Sequence, residues 1–202
     1  EHSRAHAQNR SPDVTEDLAR HAAPILASEP RLGYGYACAA CTPRSVELGA
    51  ETLVYIDGDV SSLPGEMERL LDPLREGTAD LVLGSRVLGY IADGAMPPHQ
   101  RFGNRRSSAL MSRLYSQEVT DLGPYRAVRA DLLAELKMRE MTFGWPTEMM
   151  VKAAKRGARL LEVPVSWYPR RAGRSKVSGT LKGSLLAAYY ILGVTLRYAV
   201  GE

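Results

Sequence analysis

Two carboxylates separated by one glycine, Asp57 and Asp59, close a short apolar run at residues 53–59, Leu-Val-Tyr-Ile-Asp-Gly-Asp. Carboxylate oxygens are hard ligands, and two acids at a strand's carboxyl end suggest a metal and phosphate site. The same residues can also simply open a turn, because Asp and Gly are turn formers. A β-branched and aromatic run of this length predicts a buried strand whose charged end emerges at the carboxyl rim of a sheet. Ligands of open α/β sheets bind at that rim. A second apolar run at residues 80–84 ends in Ser85 and Arg86, which brings a cation to the same rim.

Further anion-binding chemistry follows along the chain. A helix predicted over 101–115 opens with Arg101, Asn104, Arg105 and Arg106. Cations in a first helical turn oppose the macrodipole, so an anionic partner is expected there. Residues 120–129 combine Asp121, a Gly-Pro turn and Arg126, and pairing of Asp121 with Arg126 is the structural alternative to a catalytic role for Asp121. Glu148 ends a Thr-Phe-Gly-Trp-Pro-Thr-Glu segment, and residues 170–176 are the most basic stretch.

The elements that must carry these residues read as alternating strands and helices. Residues 1–13 are a polar terminus, and His2 and His6, though spaced like a helical metal pair, lack a third ligand. Asp13 and Glu16 cap a helix over 14–23. A short strand follows at 25–27, then a loop with Gly33 and Gly35, whose backbone amides could face a phosphate, and a helix over 36–47 interrupted by Pro43. A helix over 65–75 joins the two central strands into a βαβ unit, which favours a parallel sheet with helices on both faces. Residues 88–100, rich in Gly and Pro, read as a surface loop. Helices are expected over 131–137 and up to about residue 156. Pro164 assigns the strand at 160–168 to a sheet edge, since it cannot donate to a ladder. An apolar helix over 180–200 closes the chain.

The length of 202 residues suits one ordinary domain, and 45% hydrophobic with 24% charged residues excludes general disorder. The net charge of +3 permits anionic partners without demanding nucleic acid, and no stacking aromatics interleave the charges at 170–176. The two cysteines, Cys38 and Cys41, read as small buried thiols in an Ala-rich segment. The apolar stretch 185–196 is shorter than the roughly twenty residues of a spanning helix. With Leu181, Leu185, Leu186, Tyr189, Tyr190, Leu192 and Leu196 behind Arg171, Arg174, Lys176 and Lys182, it reads as a membrane-surface anchor or as a helix packed on the sheet or in a homo-oligomer.

A series of motifs in fixed order resembles the family 2 glycosyltransferases, in the branch of the dolichyl- and polyprenyl-phosphate mannose and glucose synthases. The series is Asp57-Gly58-Asp59, Gly84-Ser85-Arg86, Arg101-Phe102-Gly103-Asn104-Arg105, residues 120–126, Thr147-Glu148 and residues 170–176. The resemblance implies a GT-A-type, Rossmann-like, mostly parallel α/β sheet with helices on both faces over residues 1–179, with the N-terminal strand region missing, and a C-terminal amphipathic helix over 180–202. The chain is expected to begin at the family's second loop, Asn9-Arg10-Ser11-Pro12-Asp13. Ser61 stands where mannose synthases tend to offer an amide near the metal.

The same resemblance implies an inverting, metal-dependent transfer of sugar from a UDP- or GDP-sugar to a polyprenyl or dolichyl phosphate, at the cytoplasmic, inner face of a membrane. Asp57 and Asp59 would hold Mg2+ or Mn2+, with Asp59 the first choice as direct ligand, and Gly84, Ser85 and Arg86 would complete the donor site. Arg86, Arg101, Arg105, Arg170, Arg174, Ser175 and Lys176 would bind acceptor or donor phosphates. Asp59, Glu148 and Asp121 are the candidate catalytic residues. A hydroxyl acceptor would need Glu148 as general base, whereas a phosphate needs none, being largely dianionic at neutral pH. The other readings are a truncated, catalytically silent membrane-associated module and, more distantly, a nucleic-acid binder.

Overall fold

A computed structural model describes residues 5–8, 25–171 and 181–201. Two parallel strands, β1 (Ala5–Gln8) and β2 (Ile25–Ser28), form a separate ladder and pack under helix α1 (Tyr34–Glu47). The expected helix over 14–23, with its Asp13 cap, lies outside the described residues. Helix α1 runs through Pro43 without a break. Thr42 Oγ1 donates to Cys38 O at 2.9 Å and Ser45 Oγ to Cys41 O at 3.0 Å, so carbonyls around the lost backbone bond find donors. Cys38 and Cys41 are free thiols, and burial pushes the Cys38 thiol up to about 12.

The main sheet is mixed. Its strands are β3 (Thr52–Tyr55), β4 (Leu81–Ile91), β5 (Arg126–Arg129) and β6 (Leu160–Trp167), in the order β3-β5-β4-β6. Strands β3 and β4, joined through α2 (Met67–Arg75), run the same way as the βαβ reading requires, but β5 is inserted antiparallel between them. Strand β6 pairs parallel to β4 and lies at the edge, where its Pro164 is tolerated. Strand β4 extends through residues expected to be loop. A register shift between Ser85 and Tyr90 lets it resume pairing at Tyr90↔Ser166 and Ile91↔Trp167. Gly89 makes this possible, since a Cβ there would lie 2.1 Å from Val165 O.

The core sits on both faces of this sheet. One cluster joins Leu53, Leu83, Met111, Val128, Leu136, Trp145 and Met149 beneath α4 (Ala130–Leu136) and α5 (Trp145–Lys155). The other joins Leu70, Leu71, Leu74, Val82, Tyr125 and Val165 beneath α2, whose apolar residues recur at helical spacing. Helix α3 spans Pro98–Tyr115, three residues earlier than expected, because Pro98 supplies a pre-set first turn with no amide to satisfy. Arg101 therefore ends the first turn, and Arg105 and Arg106 fall in the second.

The last helix, α6 (Leu181–Val200), packs on α3 and α5. Tyr115 Oη donates to Thr195 O at 2.6 Å, and Lys155 Nζ donates to Tyr198 O at 2.9 Å. Val194, Thr195 and Tyr198 are buried, while Leu185, Leu186, Tyr189, Leu192, Leu196 and Val200 are exposed. One stripe of the helix is packed on the domain and the other is bare. Its window Gly183–Val200, with mean hydropathy 1.3, is also long and apolar enough to cross a membrane by length and composition alone.

Candidate functional site

Strand β3 ends at Tyr55, and Asp57 and Asp59 follow at the rim. Burial, then the negative charge of Asp59, pushes the Asp57 carboxyl up to about 6, against the pull of a Tyr34 hydrogen bond and of Arg86 and Arg126. Asp59 accepts from Ser61 N at 3.0 Å and pairs with Arg170 at 2.7 Å. The segment after β6 is laced over this loop, with Tyr168 N donating to Ser61 O at 2.9 Å and Arg171 N to Asp59 O at 3.2 Å. Between these bonds Val60 is held at φ 62°, a left-handed conformation that costs a β-branched residue on the order of 1–3 kcal/mol.

Arg86 faces the same rim, but its guanidinium is already engaged. Nε and Nη2 bind the two oxygens of Asp121 at 2.7 and 2.6 Å, and the planar group stacks on Trp167, 4.9 Å from the ring centre. Asp121 is fully buried and also accepts from Arg86 N at 2.8 Å. Its partner is therefore Arg86 and not Arg126, which corrects the sequence expectation. With its oxygens held this way, Asp121 orients Arg86 and offers no free carboxylate to a reacting proton.

Arg126 is fully buried and donates to three carbonyls, Pro124 O, Pro146 O and Gly123 O. No carboxylate is among these bonds; Asp121 and Asp57 act on it through space, and burial lowers its affinity for the proton. It thus supplies positive potential behind the Asp57 carboxyl. Gly84 and Ser85 are spent on the fold. Gly84 packs on Val165, while Ser85 Oγ shares a 2.7 Å hydrogen bond with Thr120 Oγ1 and accepts from Leu88 N. Both are buried, and these protein contacts take up the space around them.

Arg101 and Arg105 line a cavity of about 560 Å³ between the outer half of β4 and α3, together with Val87, Ile91, Met96 and Val119. Two cations over an apolar floor suit a molecule with an anionic head and a hydrocarbon body. Thr120, at the cavity wall, is followed by Asp121, so the cavity adjoins the Arg86 pair through one residue. This wall is braced from two sides: Glu162 accepts from Thr120 N, Thr120 Oγ1 and Asp121 N, and Asn104 spans Thr120 O and Leu122 N.

Glu148 lies in the interior, 1% exposed. Burial raises its pKa, but hydrogen bonds from Lys152, Tyr198 and the amides of Glu140 and Arg139 outweigh that, and the net shift is downward. A carboxylate so saturated is a poor proton acceptor, so the general-base expectation does not fit this geometry. Gly35 N donates to Met141 O at 3.1 Å, so this glycine of α1 serves close packing of backbone and not the phosphate cradle that Gly-x-Gly suggested. Arg174, Ser175 and Lys176 lie outside the described residues.

Residues 8–137 match the family model for glycosyl transferase family 2. The chain belongs to glycosyltransferase family 2. It is 36% identical over 184 residues to an uncharacterised glycosyltransferase of Mycobacterium tuberculosis, covering 89% of this chain and 79% of that one. It is 31% identical over 201 residues to an undecaprenyl-phosphate mannosyltransferase of Micrococcus luteus, covering 93% and 81%. Its fold is similar to glucosyl-3-phosphoglycerate synthase of Mycobacterium tuberculosis, solved with Mn2+, UDP-glucose and phosphoglyceric acid. The TM-score is 0.71 at 17% identity, covering 95% of this chain and 66% of that one. The chain thus spans slightly less than two thirds of that solved protein.

In this family 2 glycosyltransferase, the donor set at the rim fits a hard divalent cation. Asp57 and Asp59 would offer carboxylate oxygens of the kind such a cation takes, and a cation would relieve the repulsion between them. Among the described residues no group of three or more His, Cys, Asp or Glu could close a metal shell. The remaining ligands would be phosphate oxygens and water. Sequence reasoning missed Tyr34 as a partner of Asp57, and Glu162 and Trp167 as supports of Asp121 and Arg86. Glu162 carried a signal, being the one acid inside the apolar run of β6.

Proposed function

We propose that this glycosyltransferase moves a sugar from a UDP- or GDP-sugar onto a polyprenyl or dolichyl phosphate at the cytoplasmic surface of a membrane, with inversion at the anomeric carbon. The observation that carries the reading is the amphipathic cavity, where Arg101 and Arg105 stand over an apolar floor and the wall residue Thr120 adjoins Asp121, the partner of the Arg86 whose charge acts on Asp57. A water-soluble hydroxyl acceptor gives no reason for that floor. The buried, saturated state of Glu148 supports the same choice, because a phosphate acceptor needs no general base.

Asp57 and Asp59 would hold Mg2+ or Mn2+, which when bound offsets the charge gathering on a departing nucleoside diphosphate. Arg170 would exchange Asp59 for a donor phosphate, and its forked donors suit that anion. Arg101 and Arg105 would bind the acceptor phosphate, leaving an oxygen to attack opposite the leaving group. Arg86, fixed by Asp121 and Trp167, would add a cation of constant position between the two anions. The bare stripe of α6 would lie on the bilayer, with its buried stripe keeping it attached to the domain.

The test separates donor from acceptor. Arg101→Ala with Arg105→Ala should lower transfer to a short polyprenyl phosphate by about a hundredfold, at the scale of two charged hydrogen bonds, while Mn2+-dependent nucleotide binding stays within twofold. Equal loss of both functions would refute the acceptor assignment.

A further inference from the structure

The carboxylate of Glu148 is the hub of a relay from the last helix to the rim. Tyr198 Oη donates to Glu148 Oε1 at 2.7 Å, and Lys152 Nζ pairs with the same oxygen at 2.8 Å. The amides of Arg139 and Glu140 donate to Oε2 at 2.9 and 2.8 Å. The next residue, Met141, gives its carbonyl to Gly35 N of α1. Contact there is too close for any side chain. A Cβ on Gly35 would lie 2.5 Å from Glu140 O and 2.6 Å from Met141 Cα, and one on Gly33 would lie 2.4 Å from Met141 O.

Tyr34, between those two glycines, acts electrostatically on Asp57 and meets Trp145 edge-on at 6.3 Å, and Trp145 in turn packs on Tyr55, two residues before Asp57, at 4.8 Å. Trp145 opens α5, the helix that carries Glu148 one turn later. Tyr198, Glu148 and Lys152 are 4%, 1% and 8% exposed, so none of the three meets a substrate directly. Their arrangement still bears on the donor rim. Backbone packed on backbone without an intervening side chain has no soft element, so a shift of residues 139–141 must move the start of α1.

We propose that Glu148 and Tyr198 are positioning residues, which tie residues 139–141 to α6 and thereby set where Tyr34 stands against Asp57. The seating of the last helix then governs affinity for the donor. This inference rests on the reading of Asp57 and Asp59 as the donor site. It assigns Glu148 a role different from that of a base, and it gives α6 a role beyond attachment to lipid.

The test uses the full chain and the variant Tyr198→Phe, which removes one hydroxyl and keeps the ring beside Lys152. Native-state hydrogen exchange should show the amides of Arg139, Glu140 and Gly35 exchanging about fivefold faster or more, the scale of one lost hydrogen bond, with Leu71 and Val82 unchanged. Affinity for UDP or GDP with Mn2+ should fall about threefold or more, and in transfer the donor KM should rise while kcat stays within about twofold. Glu148→Gln, which keeps an acceptor oxygen for Tyr198 but turns an NH2 group towards the amides of Arg139 and Glu140, should show larger exchange shifts in the same direction. Unchanged exchange at Gly35, or faster exchange spread evenly over the chain, would overturn the relay. If the wild-type protein binds neither nucleotide, the donor reading fails, and exchange at Gly35 still decides the relay.

Discussion

Arg86 and Asp121 form a bidentate ion pair, 2.6 and 2.7 Å, with the aspartate side chain fully buried and the arginine side chain 13% exposed. Removing one partner strands the other's charge in the interior, so Asp121→Ala should cost about 3 kcal/mol. In a urea double-mutant cycle, Arg86→Ala with Asp121→Ala should cost less than the sum of the single changes by more than about 1 kcal/mol. Simple additivity would contradict the pairing.

Glu148→Gln distinguishes a positioning carboxylate from a base. Loss of a general base costs about 10²- to 10⁴-fold in rate. Here kcat should fall less than about tenfold, with a lower melting temperature because Lys152 loses its counter-ion. A thousandfold loss of kcat with the fold intact would restore the general-base role.

Acid stability should report a pair far from the chemistry. Asp80, at the start of β4, accepts from Arg159 Nε and Arg159 N at 2.9 Å each, and that hydrogen bonding holds its carboxyl down at about 2. A carboxyl lowered by folding stabilises the protein above its unfolded pKa, about 3.9, and that contribution is lost as the pH falls towards 2. The pair is partly solvated, so screening reduces it to about 1 kcal/mol. Wild type and Asp80→Asn should differ by that amount at pH 7 and converge near pH 2 in chemical denaturation. A constant difference across that range would exclude this origin.

How much of this was legible beforehand depended on the range of the interaction. Local signals placed the strand before Asp57, the apolar face of α2 and the edge position of β6, because periodicity and Pro164 act within a few residues. The family resemblance, resting on ordered short motifs, also held. Long-range pairing was not legible. Nothing near Arg126 indicates that its strand inserts antiparallel between β3 and β4, or that Asp121 chooses an arginine 35 residues upstream. Residues 88–91 read as part of a Gly- and Pro-rich loop, yet the close approach of Val165 is what demands a glycine at position 89. The packed stripe of α6 was half visible, since an apolar pattern does not say which stripe meets protein.

Metal-dependent transfer from a nucleotide sugar to a lipid phosphate is tested directly by one assay. The full chain is incubated with UDP- or GDP-sugars and a short polyprenyl phosphate in phospholipid vesicles, with Mn2+ or with EDTA, beside Asp59→Ala. The expected product is a polyprenyl phosphosugar of inverted anomeric configuration, formed with Mn2+ and reduced at least about a hundredfold by EDTA or by Asp59→Ala. Product formed equally well without metal, or by Asp59→Ala at the wild-type rate, would contradict it.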